Sequence, residues 1–359
     1  MKIIFHLPNK LDPNRVSASH LRPRKMIEAF KELGYETYIV YGYGRERKKS
    51  INKIKSLIEA GEKFDFCYSE SSTMPTLLTE KNHLPSHPFL DFSFFKYLKK
   101  NNIKIGLFYR DIHWMFDFYG KGLNPIKKKL AILMYKYDLK KYSELINIIY
   151  LPSLEMGKFI PKNLKDRIKE LGPGAENRNL KENEYGKNII YVCVFGEFYN
   201  IKNSLLAINQ VKNFKLTIST RKAEWENEKE KFTKLDFDNI RVKLLEGEGL
   251  KEEYLKSNFG LLMLSPHPYL DFAVPYKLYE YASYNLPIIA SRGTLSGKIV
   301  EENNIGFTIE NKIEDIKEFL LSLDSRKEEI KIIKDNLKKF TDNNSWKSRA
   351  LQVAKDLGD

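Results

Sequence analysis

Apolar residues recur along this chain with two different spacings, and the two spacings alternate over most of its length. Short apolar runs predict buried strands, whereas apolar positions three and four residues apart predict helices with one buried face. Such alternation predicts a parallel, doubly wound α/β sheet in the first half of the chain. There we predict strands at residues 2–7, 36–41, 64–69, 103–109 and 148–151, and helices at 24–33, 53–60, 92–100 and about 126–149.

The composition changes at residues 171–187, where Gly172, Pro173 and Gly174 precede a polar stretch. Glycine and proline interrupt regular structure, so this segment is a candidate linker. Beyond it the alternation starts again, which predicts a second α/β domain and the boundaries 1–171 and 172–341. In this half we predict strands at residues 188–195, 214–219, 240–244, 259–264 and 288–290, and helices at 203–211, about 225–234, 250–257, 313–323, 327–340 and 346–357.

Length and charge narrow the function classes. The 359 residues are enough for about two domains. Lysine and arginine exceed aspartate and glutamate by 61 to 47, which favours anionic partners. The lysines are spread rather than clustered, and the sequence contains no recognisable nucleic-acid-binding motif, so we expect no nucleic-acid partner. The sequence contains neither a membrane-spanning run nor a recognisable signal peptide. Cys67 and Cys193 each lie in a strand-like run and lack metal-binding spacing, so we expect buried thiols in a reducing cytoplasm.

A strand–loop–helix–strand unit near the C-terminus carries the strongest chemical signal. The apolar run 259–264 leads through a polar loop to Pro275, a residue type suited to the first position of a helix. Lys277 and Glu280 then share one face of that helix. The helix start and Lys277 could hold a phosphate, and Glu280 could accept ribose hydroxyls, which together predict a nucleotide diphosphate site. A solvated lysine–glutamate pair is the alternative.

These residues also resemble a known family. Pro275, Lys277, Leu278 and Glu280 are similar to the nucleotide-binding element of GT-B glycosyltransferases, especially the family-4-like bacterial enzymes. The resemblance implies two Rossmann-like domains facing a central cleft, with residues 342–359 crossing back onto the first. It assigns Glu280 to the ribose. The glutamate that contacts the donor sugar in that family falls at Phe272, with Asp271 beside it, which leaves retention or inversion of the anomeric centre open.

A second element of the family clamps the donor diphosphate. Gly196, at a strand end, and Lys202, at the next helix start, resemble it, but Glu197 stands where the family has arginine. Another cation must then replace that arginine, because a carboxylate cannot hold phosphate. Arg221, in a loop after a strand, is the best-placed candidate, and Arg292 is another. For both Lys202 and Arg221 a solvated surface position is the alternative.

Residues after the predicted strand 103–109 combine a cation, a carboxylate and an imidazole: Arg110, Asp111 and His113. Asp and His suit proton transfer or the orientation of a sugar hydroxyl. By resemblance, Asp111 is the candidate base, His113 lines the sugar site and Arg110 contacts acceptor or phosphate. An Arg110–Asp111 ion pair that fixes the loop over Trp114 is the alternative.

Two further loops of the first half offer polar side chains. The loop after the first strand is basic and poor in glycine, and its Arg15, Ser17, Ser19 and His20 could hold acceptor or phosphate oxygens. Ser19 could equally cap a helix. In the segment that contains His83 and His87, prolines exclude a continuous helix and no acidic or cysteine ligand is adjacent. We therefore expect a lid or acceptor loop there and no metal site.

The helix at residues 126–142 mixes lysines with apolar and aromatic residues. Such a helix could lie on an anionic membrane surface, which would suit an enzyme with a lipid-linked acceptor. A core helix with an exposed lysine face is the alternative.

The sequence thus predicts a metal-independent, hexosyltransferase-type glycosyltransferase that uses a nucleotide diphosphate sugar, with UDP-sugar favoured, as a substrate and needs no cofactor. The family association implies a glycan or lipid-linked acceptor in the synthesis of capsule, lipopolysaccharide or another surface polysaccharide. We expect a cytoplasmic enzyme, peripheral on the inner face of the cell membrane. The alternatives are a GT-B-fold sugar-nucleotide epimerase and a non-catalytic basic protein that binds anionic lipid or nucleic acid.

Overall fold

The computed structural model describes residues 1–12, 17–178, 180, 184–192, 201–228, 238–265 and 267–358. These residues form two compact units. Unit 1 comprises residues 1–174 and 346–359, and unit 2 comprises residues 175–345. The division falls three residues after the expected linker boundary at residue 171 and four residues after the one expected at 341.

Unit 1 contains a six-stranded sheet in which every strand is parallel to its neighbours, in the order β2-β1-β3-β4-β5-β6. The central strands are buried on both faces, as the near-continuous apolar runs predict. The strands are β1 Lys2–His6, β2 Glu36–Val40, β3 Phe66–Glu70, β4 Lys104–Phe108, β5 Ile148–Leu151 and β6 Ile168–Glu170, and the helices are α1 Ala18–Glu32, α2 Gly44–Glu59, α3 Leu90–Lys100 and α4 Pro125–Leu145.

Two helices of unit 1, α1 and α2, begin more than five residues earlier than predicted. α1 starts at Ala18 and continues through Pro23, which removes one helical hydrogen bond but packs in the core with Met26 and Phe30. α2 starts nine residues before the predicted position at residue 53. Its first amide, that of Gly44, donates to the Glu80 carboxylate from a distant loop at 2.8 Å, a contact that local sequence does not reveal.

Unit 2 repeats the architecture with the strand order β12-β11-β10-β7-β8-β9, again entirely parallel. The two doubly wound domains predicted from the alternation are therefore present. The strands are β7 Asn188–Val192, β8 Lys215–Ser219, β9 Ile240–Lys243, β10 Phe259–Leu262, β11 Ile288–Ser291 and β12 Gly306–Ile309, and the helices are α5 Lys202–Gln210, α6 Lys222–Glu228, α7 Gly247–Lys256, α8 Tyr276–Ser283, α9 Leu295–Glu302, α10 Ile313–Ser322 and α11 Lys327–Asn343.

Three elements had no counterpart among the predictions: β6, α9 and β12. The two strands lie at sheet edges and have only three and four residues, too few for a recognisable apolar period. The predicted ends of a strand at residues 193–195 and of a helix at residues 229–234 lie outside the described residues. Short 3-10 helices complete the described chain at Thr76–Leu78, His113–Met115, Leu154–Phe159, Lys162–Arg167 and Leu323–Arg326.

The last helix, α12 Trp346–Leu357, belongs to unit 1. Its two ends are packed against glycines, where no side chain could fit. A Cβ on Gly174 would lie 2.3 Å from the Trp346 ring, and a Cβ on Gly106 in β4 would lie 2.7 Å from Leu357. The C-terminal segment thus completes the core of the N-terminal unit.

Candidate functional site

Helix α8 is held firmly against the sheet of unit 2. The Tyr281 ring lies directly over Gly260 of β10, where a Cβ would come within 2.5 Å of the ring. The Tyr281 hydroxyl donates to the Leu261 carbonyl and accepts from the Val192 amide, both at 3.1 Å. One buried tyrosine therefore fixes α8 relative to two neighbouring strands.

The N-terminus of α8 provides the predicted positive end of a helix dipole. Pro275 is the N-cap, with extended φ and ψ of −69° and 130°, rather than the first helical residue as predicted. The Leu278 amide donates to the Pro275 carbonyl at 3.2 Å, and the first turn contains no acidic side chain that would offset the dipole. Leu278 itself is fully buried, so it anchors the helix rather than a ligand.

Lys277 and Glu280 occupy neighbouring turns of α8. The Lys277 ammonium lies 5.7 Å from the centre of the Tyr191 ring at the end of β7. Burial raises the pKa of Glu280, whereas the Tyr254 hydroxyl, Lys277 and Arg178 favour its carboxylate form. Glu280 is a partly buried acceptor next to positive groups, which is the chemistry suited to ribose hydroxyls.

Aromatic residues that the sequence analysis missed surround Glu280. Tyr254 of α7 and Tyr284 stack with centroids 4.4 Å apart and planes inclined by 20°. The Arg178 guanidinium lies 4.4 Å over the Tyr284 ring and pairs with Glu176. Burial, followed by the Glu280 charge, raises the pKa of Tyr254 well above its usual value. Tyr254 and Arg178 come from segments distant in the chain, so no local motif could have identified them, whereas Tyr284 directly follows α8.

The other candidate donor residues lie at the same edge of the sheet. Lys202 is the first residue of α5, which follows β7, and Arg221 precedes α6, which follows β8. Strands β10, β7 and β8 are adjacent, so α8, α5 and α6 all begin beyond their carboxyl ends. Arg221 is exposed, and its guanidinium lies 3.5 Å from the Glu224 carboxylate. Gly196 lies outside the described residues.

Asp271 and Phe272 have opposite environments. Asp271 is exposed, whereas Phe272 is only 2 % exposed and packs edge-on against Tyr269 at 5.2 Å. A buried ring offers no surface to a donor sugar in this conformation. Of the two residues, only Asp271 presents a polar group to solvent.

In unit 1, the loop after β4 is organised by its own polar side chains. The Asp111 carboxylate accepts the Ile112 and His113 amides at 2.7 and 3.0 Å through one oxygen, and its other oxygen lies 3.6 Å from His113 Nδ1. Arg110 pairs with Glu70 of β3 at 2.7 Å and donates to the Ser71 carbonyl at 3.2 Å. The ion pair that fixes this loop is therefore Arg110–Glu70.

The loop after β1 leads into the N-terminus of α1. Ser17 is the N-cap, although its hydroxyl makes no capping hydrogen bond and lies 3.1 Å from the Ser19 hydroxyl. His20 Nδ1 accepts the Asp12 amide at 3.0 Å. Arg15 lies outside the described residues. Ser17, Ser19 and His20 thus come together on the first turn of a helix without an acidic residue in that turn.

Beneath these loops lies a buried charge network that the sequence analysis did not identify. Arg47 is 1 % exposed and binds Asp91 at 2.9 Å through Nε, while it donates to the carbonyls of Pro8 and Gly42 at 3.1 and 2.6 Å. Asp91 also contacts His6 Nε2 at 2.9 Å. One guanidinium thereby joins the loops after β1 and β2 to helix α3.

The segment with His83 and His87 packs onto the start of α2. His87 Nδ1 lies 3.4 Å from the Glu80 carboxylate, and a Cβ on Gly44 would collide with both side chains. An open cavity of about 760 Å³ lies here, lined by Tyr43, Arg45, Glu46, Glu80, Lys81, Asn82, Ser86 and His87. Its position beyond the carboxyl ends of β2 and β3 suits a ligand-binding loop.

Across the described ranges of the chain, no group of three or more His, Cys, Asp or Glu side chains is arranged to hold a metal ion. A search of the same residues gives no helix with the length and apolar character needed to span a membrane.

Residues 199–345, which make up most of unit 2, match the model of the glucosyltransferase 3-like C-terminal domain. A search of curated protein sequences gives no match.

Solved structures of low sequence identity share the fold over nearly the whole chain. HepE from Anabaena in complex with UDP aligns with a TM-score of 0.67 at 11 % identity, covering 99 % of both chains. A glycosyltransferase from Rickettsia africae gives 0.61 at 14 % identity, covering 99 % of this chain and 98 % of the other. The sucrose-phosphate synthase of Thermosynechococcus elongatus gives 0.62 at 12 %, with the same coverage. The predicted fold class is confirmed.

Proposed function

We propose that this chain, a glycosyltransferase of GT-B fold, transfers a sugar from a UDP-sugar to a glycan or lipid-linked acceptor. The observation that carries the proposal is the arrangement of α8, where a helix N-terminus, Lys277 and Glu280 meet beyond the end of a parallel strand. This arrangement lies inside the segment that matches a glucosyltransferase domain. UDP was bound in the structures of HepE and of MnaA from S. aureus.

In the proposed reaction the bond between the anomeric carbon and the donor phosphate breaks, and an acceptor hydroxyl bonds to that carbon. The departing diphosphate gains negative charge, which the N-terminus of α8, Lys277 and Lys202 would stabilise. Arg221, Gly196 and Pro275 complete the proposed diphosphate site. Glu280 would accept the ribose hydroxyls, and Asp271 would contact the donor sugar.

For unit 1 we propose that Asp111 removes the acceptor proton and that His113 contacts the sugar. One Asp111 oxygen is engaged with two backbone amides, so the oxygen near His113 is the one that can accept a proton. Arg110 positions this loop through Glu70. Acceptor or phosphate oxygens would be held by the polar residues of the α1 start, namely Arg15, Ser17, Ser19 and His20.

The proposal includes a metal-independent reaction, because the helix dipole and the basic side chains supply the positive charge that the leaving group needs. It assigns the product to a surface polysaccharide, capsule or lipopolysaccharide, as the family association implies. We place the enzyme in the cytoplasm, with peripheral contact to the inner face of the membrane through residues 126–142.

The nucleotide site is tested by thermal unfolding with and without UDP. Binding to the folded state alone raises the melting temperature, so millimolar UDP should produce a clear shift. Lys277→Ala and Glu280→Ala should each weaken UDP binding by about tenfold or more, as expected for charge-assisted hydrogen bonds. The matched control is the Lys298–Glu302 pair on α9, whose alanine variants should keep the UDP shift.

Normal UDP affinity in both α8 variants would refute the assigned site. Release of UDP from UDP-glucose that depends on an added acceptor would support transfer. Conversion of the sugar nucleotide to an epimer without any acceptor would instead favour the epimerase alternative.

A further inference from the structure

Helix α4 is apolar on two opposite faces. One face packs into the core of unit 1 through Ala131, Tyr135, Leu139 and Tyr142, which recur at intervals of three and four residues. Tyr135 also donates to the Thr73 carbonyl at 2.6 Å, so this face is firmly attached. A helix that has buried one apolar face in this way has no need of a second for its own stability.

The second apolar face is open to solvent. Ile126, Leu130 and Leu133 follow one another at intervals of four and three residues and therefore lie in one stripe. Their side chains are 78 %, 50 % and 53 % exposed, and Leu123 just before the helix is 53 % exposed. Single exposed leucines are common, but a contiguous stripe indicates a contact with another apolar phase.

Lysines border this stripe on both sides. At 100° per residue, Lys129, Lys136 and Lys140 lie along one flank, and Lys127 and Lys141 lie along the other. The helix has only two acidic residues. Asp138 is buried, and Glu144 pairs with Lys141 at 2.7 Å. Over residues 126–140 the exposed side of α4 is therefore apolar in the middle and positive at its edges.

We propose that this face, the α4 surface (Leu123, Ile126, Leu130 and Leu133 with the lysines 127, 129, 136, 140 and 141), docks on a lipid bilayer that contains anionic headgroups. An apolar stripe flanked by lysines is the pattern of helices that lie in the membrane interface. The aliphatic side chains enter the headgroup–acyl boundary. The long lysine stems follow them while the ammonium groups reach lipid phosphates.

Charge complementarity favours lipid over a folded protein partner. The four lysines at positions 127, 129, 136 and 140, besides the Lys141–Glu144 pair, need several anionic groups that can move to meet them, which a fluid layer of phospholipids supplies. The lipid contact specifies the membrane association included in the proposed function. Only its purpose, access to a membrane-borne acceptor, rests on that proposed function. The surface itself stands on the geometry of α4.

The experiment is co-sedimentation of the full chain with vesicles. Vesicles of phosphatidylcholine with about 30 % phosphatidylglycerol are compared with pure phosphatidylcholine, at low and at physiological salt. We expect binding to the anionic vesicles, weakened by salt, and at least about tenfold weaker binding to neutral vesicles. Equal binding to both kinds of vesicle, or binding to neither, would overturn the proposal.

Two variants separate insertion from simple attraction. The triple change Ile126→Ser, Leu130→Ser and Leu133→Ser should reduce binding about tenfold or more, because it removes the inserting groups. Its control is the combination Leu321→Ser, Ile332→Ser and Leu351→Ser, at apolar positions that are also exposed but lie on other helices. Full binding by the α4 serine variant would overturn the proposed insertion.

The second variant changes charge. Lys129→Glu, Lys136→Glu and Lys140→Glu together should abolish binding to anionic vesicles. The control triple Lys48→Glu, Lys49→Glu and Lys53→Glu on α2 makes the same change in net charge and should retain most binding. Equal losses in the two triples would show that total charge, and not the α4 surface, attracts the lipid.

The outcome is independent of the nucleotide site. All six variant positions on α4 lie in unit 1, so each variant should keep the melting-temperature shift with UDP. Vesicle binding without a UDP shift would refute the proposed sugar transfer and leave the α4 surface intact. A UDP shift without vesicle binding would refute the membrane role of the α4 surface and leave the proposed nucleotide site intact.

Discussion

Burial and neighbouring charge act on Glu280 in opposite directions. Burial raises its pKa, while Tyr254, Lys277 and Arg178 stabilise the carboxylate. A partly desolvated carboxylate lacks some of the hydrogen bonds that it would have in water, and hydroxyl donors from a ligand can restore them. In its proposed role at the ribose, Glu280 would therefore lower the stability of the free protein and favour binding of the ligand.

The opposing effects of burial and of neighbouring groups on Glu280 predict a variant that is more stable than wild type but binds UDP less well. Glu280→Gln keeps the shape of the side chain and removes the desolvated charge, so at neutral pH the free protein should melt at a higher temperature than wild type. The same variant should bind UDP about tenfold more weakly. Thermal unfolding at pH 7 with and without UDP measures both effects. A lower melting temperature in the absence of UDP would contradict the argument.

The raised pKa of Asp138 predicts that the stability of the protein depends on pH. Asp138 is buried on α4, its Oδ2 accepts the Thr76 amide at 2.7 Å, and burial raises its pKa to about 7. Between the ordinary aspartate pKa and about 7, the folded state holds a proton that the unfolded state has lost. Its contribution to the free energy of unfolding therefore falls as pH rises through this window and stays low above it.

Asp138→Asn should remove this dependence, because the amide is neutral and its oxygen can still accept the Thr76 amide. The variant should exceed wild type in melting temperature at pH 8, and the difference should narrow as the pH falls towards 4. Thermal unfolding across that range is the measurement. A constant difference at every pH would show that the Asp138 charge plays no part.

At the scale of elements, the proposed donor site depends on where strands lie in the sheet. β7 and β8 are consecutive strands in the chain and β10 comes two strands later, but the sheet order places β10 directly beside β7, so the helices that follow these three strands begin at one edge. This placement brings Lys202 and Arg221 to the same sheet edge as the start of α8. Parallel strands connected by helices produce such an edge as a matter of topology.

The packing of α8 on β10 gives a prediction at this scale. Gly260→Ala places a methyl group within 2.5 Å of the Tyr281 ring, so the helix must move or the ring must leave its two hydrogen bonds. We expect a loss of about 1–3 kcal/mol in the free energy of unfolding, together with weaker UDP binding. Denaturant titration and the UDP thermal shift measure the two effects.

Gly249→Ala in α7 is the matched control. A Cβ there meets only Leu245 at 3.5 Å, an ordinary contact, and the residue is helical, so stability should stay level or rise. If both alanine variants behaved alike, close packing of α8 on β10 would not be the cause.

At the scale of the whole molecule, the ends of the chain meet in one unit. Arg22 of α1 donates to the carbonyl of Gly172 at 2.9 Å and pairs with Glu70 at 3.4 Å, while Trp346 covers Gly174. Glu70 also binds Arg110 of the candidate catalytic loop. The C-terminal helix and this buried cluster therefore support the same region of unit 1.

Truncation of Trp346 tests that support. Trp346→Ala should destabilise unit 1 by about 3–5 kcal/mol, because the ring is buried against α1 and residue 174. Leu351→Ala, at an exposed position of the same helix, should change stability by less than about 1 kcal/mol. Calorimetry of the full chain reports both. Equal effects would mean that α12 is not part of the core of unit 1.

The alternation of apolar patterns was sufficient to predict two parallel, doubly wound domains, because the spacing of apolar residues within each strand and helix reflects which of its faces are buried. The predicted starts of α1 and α2 were wrong by several residues, since Pro23 is tolerated through tertiary packing and Gly44 is capped by Glu80. The edge strands β6 and β12 were missed because they have only three and four residues, too few for a recognisable apolar period. The assigned roles of the site residues remain predictions.

The sequence by itself determined the α/β class and singled out Pro275, Lys277 and Glu280, because those signals lie within one short stretch. Only the tertiary structure decided which residues surround them. Tyr254 and Arg178 reach Glu280 from segments distant in the chain, and Trp346 enters the core of a unit that begins at residue 1. The physical reason is that hydrophobic periodicity is a local property, whereas contacts between distant segments depend on strand order and packing, which no single segment encodes.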